Sequence, residues 1–148
     1  MRIFIDADAC PKPIKEILFR ASTSTNTELV LVANQYMKTP PSKLIKTITV
    51  SSGFDEADKR IVEEVSAGDI VITSDIPLAD LVTNKGGIAL NPRGTLYTKD
   101  NIKHQLAMRN LMEHLRDSQL ISGGPKPFSK QDCQQLANQL DKLLAKNS

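Results

Sequence analysis

Five aspartates stand where apolar runs give way to helical patterns, and their chemistry is that of hard-cation ligands and general acids or bases. Asp6 and Asp8, one alanine apart, follow the run Ile3-Phe4-Ile5 in "MRIFIDADACPKP". Asp55 and Asp58 lie in "SSGFDEADKR", three residues apart and so on one face of a helix. Asp75 lies in "VITSDIPLAD", with Asp80 five residues on. Two carboxylates about 4 Å apart repel by roughly 4 kcal/mol at an effective dielectric near 20. A cluster of them therefore either raises its pKa values or takes up a cation. Oxygen ligands completed by water suit Mg²⁺ or Mn²⁺. Such an ion activates water and neutralises charge in phosphodiester hydrolysis. Local roles compete at each position. Asp55 also reads as a helix N-cap, Asp58 as a favourable charge on a first turn, Asp75 as a cap ahead of Pro77, and Asp8 as a turn former. Asp6 continues a buried strand and has no evident local partner, which makes it the strongest candidate; Asp80 reads as a solvated helix residue.

The elements that must position these acids alternate along the chain. Strands are predicted at Ile3–Ile5, Leu29–Ala33, 44–50, Asp69–Thr73 and Ile88–Leu90. Between them, helical spacing runs through Ile14, Ile17, Leu18 and Ala21, through Ala57, Ile61, Val62 and Val65, and from Pro77 to Val82. The strands are nearly continuous apolar runs, as expected of a parallel sheet covered on both faces. Ligands bind beyond the carboxyl ends of such strands, where the acids fall. After residue 100 the spacing of Ile102, Leu106, Leu111, Met112 and Leu115 predicts a long helix. "ISGGPKPFS" (121–129) reads as a loop that could cover the site, and Ser129-Lys-Gln-Asp132 as a capping box opening a last helix through Leu136, Leu140, Leu143 and Leu144. The expected architecture is α/β, three layers α/β/α around a mainly parallel sheet, as one domain over 1–148. Its C-terminal helical portion (101–148) packs on the sheet.

Composition narrows the function classes. Of 148 residues, 40% are hydrophobic and 24% charged, an ordinary globular balance with enough chain for a core. Aromatics are 4% with no Trp, which argues against wide stacking platforms for single strands. Cys10 and Cys133 match no zinc spacing and read as free thiols; Cys10 lacks an evident His partner for nucleophilic work. Asp6 and Asp8 interrupt any leader, and no apolar run nears the ~20 residues of a membrane span, so a cytoplasmic protein is expected. Residues 1–84 hold 9 Lys/Arg against 12 Asp/Glu, and residues 85–130 hold 8 against 3. An acidic site with a basic rim for an anionic polymer fits this asymmetry. Arg93, in the turn "NPRGTLYTKDN", with Lys99 and Lys126, is the candidate phosphate holder; Lys103 and Arg109 extend the rim. His104 and His114 match no catalytic spacing and read as surface helix residues.

"FIDADACP", "GFDEADKRIVE", "VITSDIPLA", "NPRG" and "GGPKPF" together resemble the YaiI/YqxD family of small bacterial proteins across nearly the whole chain. The resemblance implies a PIN-like domain, an α/β nuclease fold with acids after the first strand, on a central helix and after a later strand. Asp6 matches the first, Asp55 or Asp58 the second and Asp75 the third. Where the PIN pattern usually carries a further acid or Asn, the corresponding region of this chain holds Asn91 and Arg93. The implied activity is a Mg²⁺- or Mn²⁺-dependent ribonuclease, with RNA as partner. Two other readings compete. One is a PIN-like domain that binds RNA or protein without cutting. The other is a phosphatase of the haloacid-dehalogenase type, which "IFIDADAC" and "SDIPLAD" resemble. There Asp6 is the nucleophile, Asp8 the acid/base, and Asp75 and Asp80 hold Mg²⁺.

Overall fold

The computed structural model describes residues 1–35, 38–53, 56–117 and 129–146. Asp55, Lys126 and the 121–128 part of the expected loop lie outside them. Five strands form one sheet: β1 (Arg2–Asp6), β2 (Glu28–Ala33), β3 (Ile45–Thr49), β4 (Ile70–Ile72) and β5 (Ile88–Leu90). Their order is β3-β2-β1-β4-β5, and every pairing is parallel. The helices are α1 (Lys12–Thr25), α2 (Glu56–Glu64), α3 (Ile76–Asn84), α4 (Lys99–Asp117) and α5 (Lys130–Lys146).

Alternation along each strand splits the core into two layers. Ile3, Ile5, Leu29, Leu31, Ile70, Ile72 and Leu90 face one side, where Ile14 and Leu18 of α1 and Leu136 and Leu140 of α5 cover them. Phe4, Val30, Val32, Val71 and Ala89 face the other, under Ile61 of α2, Leu78, Ala79 and Val82 of α3 and Ile102 of α4. The fold is thus the expected three-layer α/β/α arrangement. Among the described residues no helix is long and apolar enough to cross a membrane.

Three local devices fix the sheet and its last helix. At the amino edge, Arg2 binds Asp69 at 3.0 Å, Asp69 also accepts from the backbone N–H groups of Arg2 and Ser66, and the Arg2 guanidinium stacks 4.9 Å from the Phe4 ring centre. The capping box at α5 closes both ways: Ser129 Oγ accepts from the Asp132 N–H, and Asp132 Oδ2 accepts from the Ser129 N–H, each at 3.1 Å. The NPRG turn then docks α5. Arg93 pairs with the same Asp132 at 2.5 Å, and Gly94, at φ +97, sits so close to α5 that a Cβ there meets the Gln135 carbonyl carbon at 2.7 Å.

The long helix α4 departs from expectation. Its apolar positions were read as a face packed on the sheet, but only Ile102 is buried, and α4 lies chiefly against α3. Leu106, Leu111 and Met112 are exposed and Leu115 is half-buried, because α2 and α3 already cover that face of the sheet.

Candidate functional site

In this strand order the chain runs outward from β1 to β2 and β3 on one side and occupies β4 and β5 on the other. The break between β1 and β4 is the switch point, where the loops beyond the carboxyl ends diverge and leave a crevice. A cavity of about 360 Å³ lies there. Asp6 from the end of β1, Asp58 from the first turn of α2, Thr73, Ser74 and Asp75 from the β4–α3 junction, and Arg109 from α4 all line it. Three acids separated by up to 69 positions thus share one cleft.

Backbone donors orient two of them. Asp6 Oδ1 accepts the Asp8 N–H at 3.2 Å, capping the single 3-10 turn Ala7–Ala9. Asp75 Oδ1 accepts the Leu78 N–H at 3.0 Å, and its own N–H donates to Thr73 Oγ1 at 2.9 Å. Asp75 is therefore the N-cap of α3, as its position before Pro77 allows, and it faces the cleft as well. A carboxylate accepts at about four positions, so one capping bond does not exhaust it. Asp58 lies in the first turn of α2.

Below Asp75, Tyr97 is buried and its hydroxyl accepts from Asn91 Nδ2 at 2.9 Å. Burial pushes its pKa up, the Asn91 hydrogen bond opposes this, and the Asp75 charge adds to the rise. Cys10 also lines the cleft, and burial pushes its thiol up to about 12, against a lowering by Lys15 and with a further rise from Asp6. A thiol held protonated is no nucleophile near neutral pH.

The other sequence candidates lie elsewhere. The exposed Asp8 turns away from the cleft lining, and its Oδ2 accepts the Asn34 N–H at 2.7 Å, tying the first turn to the end of β2. Arg93 is engaged with Asp132 on α5, and Asn91 caps its own turn by accepting the Arg93 N–H at 2.8 Å. Lys99 is exposed at the start of α4 and does not line the cleft. Asp80, His104 and His114 are exposed helix residues. Asp55 and Lys126 lie outside the described residues. Among the described residues the cation that lines this cavity is Arg109, which the sequence offers only as one of several rim residues. Thr73, Ser74 and Pro92 were not singled out at all, although Thr73 and Ser74 complete the "TSD" triplet.

Among the described residues no three His, Cys, Asp or Glu side chains converge tightly enough to form a ready-made metal cage. The carboxylates and hydroxyls that line the cleft are nonetheless hard oxygen donors. Mg²⁺ is commonly held this way, by one or two carboxylates with water and substrate phosphate completing its shell.

Comparison with known proteins gives the chain its relatives. The profile of DUF188, described as the uncharacterised YaiI/YqxD family, matches residues 4–146. The chain belongs to the YaiI/YqxD family. UPF0178 proteins of that kind from Maridesulfovibrio salexigens and Shewanella amazonensis are 57% and 58% identical to it, over 99% of this chain and 97% and 98% of theirs. A third, from Hahella chejuensis, is 55% identical over 100% of the chain and 99% of its own length. No solved structure matches the chain significantly. The names of these three relatives state no activity.

Proposed function

We propose that the protein is a Mg²⁺- or Mn²⁺-dependent nuclease acting on RNA, with its site in the cleft of Asp6, Asp58 and Asp75. One observation carries this reading: three carboxylates from three separate chain segments line a single cavity at the switch point of a parallel sheet. Asp6, Asp58 and Asp75 are the residues to hold the cation, with Asp55 added from the sequence. When bound, Mg²⁺ or Mn²⁺ supplies an activated water and neutralises charge on the phosphate oxygens. The chain's own part is positional. The Asp8 N–H fixes Asp6, the Leu78 N–H fixes Asp75, and Arg109 brings the positive charge that a phosphodiester needs. The choice of RNA rests on the PIN-like resemblance.

The phosphatase reading loses ground to this one. It needs Asp8 beside Asp6 as acid/base, whereas Asp8 is bound to the Asn34 N–H and outside the cleft lining. A second reading, RNA binding without cleavage, draws on Asn91: it occupies the region of the further PIN acid and is engaged with Tyr97 and Arg93.

Mn²⁺ titration followed by electron paramagnetic resonance tests the metal half of the proposal. Wild type is expected to bind Mn²⁺ at millimolar concentration or below, Asp6→Asn to bind at least about tenfold more weakly, a change of about 1.4 kcal/mol, and Asp8→Asn to bind like wild type. Equal binding by wild type and Asp6→Asn overturns the assignment.

A further inference from the structure

The acidic cleft does not end at Asp58 and Asp75. Those two residues and Arg109 also line a second hollow of about 600 Å³ between α2, α3 and α4. Its walls are mainly aliphatic: Val62 from α2, and Pro77, Leu78 and Leu81 from α3. Leu81 is 51% exposed, the most exposed of the large hydrophobic side chains among the described residues. Lys59 and Glu63 stand on the α2 side. Arg109, Asp58 and Asp75 are therefore shared by a polar compartment and a more apolar one.

We propose that this groove holds the nucleoside adjoining the phosphate under attack, and that Arg109 holds that phosphate. The inference rests on the nuclease reading of the neighbouring cleft. The two hollows together offer the chemistry that a nucleotide needs: an apolar wall for the base, beside a cation for the phosphate and carboxylates for a metal. A protein segment seated in the groove has to bury Asp58 and Asp75 at its inner end, which costs more than it returns unless each charge finds a partner. A nucleotide brings its phosphate to Arg109 and leaves the acids to the cation. Arg109 can make this exchange because its present partner is weak: it meets Glu113 at 3.4 Å across an exposed i,i+4 pair that water already screens. The side chains of Val62, Pro77, Leu78 and Leu81 offer no hydrogen bonds, so the aliphatic wall does not select one base over another, and the base has to be unpaired to reach it.

The test is binding of a fluorescent mixed-sequence RNA oligonucleotide by anisotropy, in Ca²⁺ in place of Mg²⁺ or Mn²⁺, for wild type, Arg109→Ala and Leu81→Glu. Leu81 is on the surface, so its replacement leaves the core intact. Arg109→Ala is expected to weaken binding about tenfold and to lower the slope of log affinity against log salt by about 0.7, one single-strand phosphate contact. Leu81→Glu is expected to weaken binding by about tenfold for the oligonucleotide and clearly less for an abasic chain of the same length, which feels only the added charge. Unchanged affinity in either variant overturns the subsite, as does an equal loss for the abasic chain. Wild type that is a dimer in sedimentation and becomes a monomer with Leu81→Glu assigns the groove to a second copy and overturns it too. Wild type that binds with these dependences but never cuts RNA in Mn²⁺ removes the nuclease reading and leaves the subsite standing.

Discussion

Asp6 and Asp8 are the same residue type two positions apart, yet they do different work. Asp6 ends β1 and faces the cleft; Asp8 leaves the strand and ties the turn to the Asn34 N–H, 26 residues on. Local position ranks Asp6 above Asp8, but Asp8's partner is not legible, because it is set by how β2 lies beside β1. The Asp69 carboxylate shows what a buried acid with full partners is worth. It is 5% exposed and accepts from three donors, so Asp69→Ala leaves the Arg2 charge and two backbone N–H groups short of an acceptor. That substitution is expected to cost about 3 kcal/mol in chemical denaturation. Cys10 lines the cleft without serving it: Cys10→Ser is expected to keep any nuclease rate within about threefold, under 1 kcal/mol of barrier, whereas a thiol nucleophile loses several orders of magnitude.

At the scale of elements, the NPRG turn carries a packing role that the sequence does not announce. The sequence offers Arg93 as a phosphate holder; in the fold the turn is the dock for α5. Gly94→Ala adds a methyl against the Gln135 backbone and puts a side chain on a φ of +97. A loss of about 2–4 kcal/mol is expected, read as a lower denaturant midpoint. The backbone bond from Ser129, and then the charge of Arg93, hold the Asp132 carboxyl below its ordinary value of 3.8. A lowered folded-state pKa gives stability that is present above the unfolded value and is lost as pH falls through the folded one. Asp132→Asn is therefore expected to lower Tm at pH 5 and above, with the difference from wild type shrinking once pH drops below 3.8. A difference independent of pH contradicts that assignment. The capping box at 129–132 was legible because both partners are three residues apart. The Arg93–Asp132 pair spans 39 positions and was not.

Over the whole molecule, the strand–helix rhythm told most of the architecture, because buried parallel strands leave apolar runs that need no partner to be recognised. Each of the five expected strands overlaps an observed one within a residue or two. The order β3-β2-β1-β4-β5 was not legible, and with it the fact that β1 and β4 are neighbours. That adjacency is what gathers Asp6 and Asp75, and α2 crossing the same face adds Asp58. The same limit hid Arg109: its helix pattern was plain, but α4 reaches the cleft only by lying on α3, an arrangement fixed by Ile102 and by the turn through Tyr97. The chain's charge asymmetry has its local counterpart here, with acids from the first half facing a cation from the later segment.

Cleavage of a mixed pool of labelled RNA oligonucleotides in Mn²⁺, wild type beside Asp6→Asn, tests the central claim most directly. The account predicts fragments from wild type, none in chelator, and a rate at least about a hundredfold lower for Asp6→Asn, close to 2.7 kcal/mol of lost barrier reduction. Wild type that binds the RNA in a salt-dependent way and leaves it whole, with Asp6→Asn binding equally well, contradicts it.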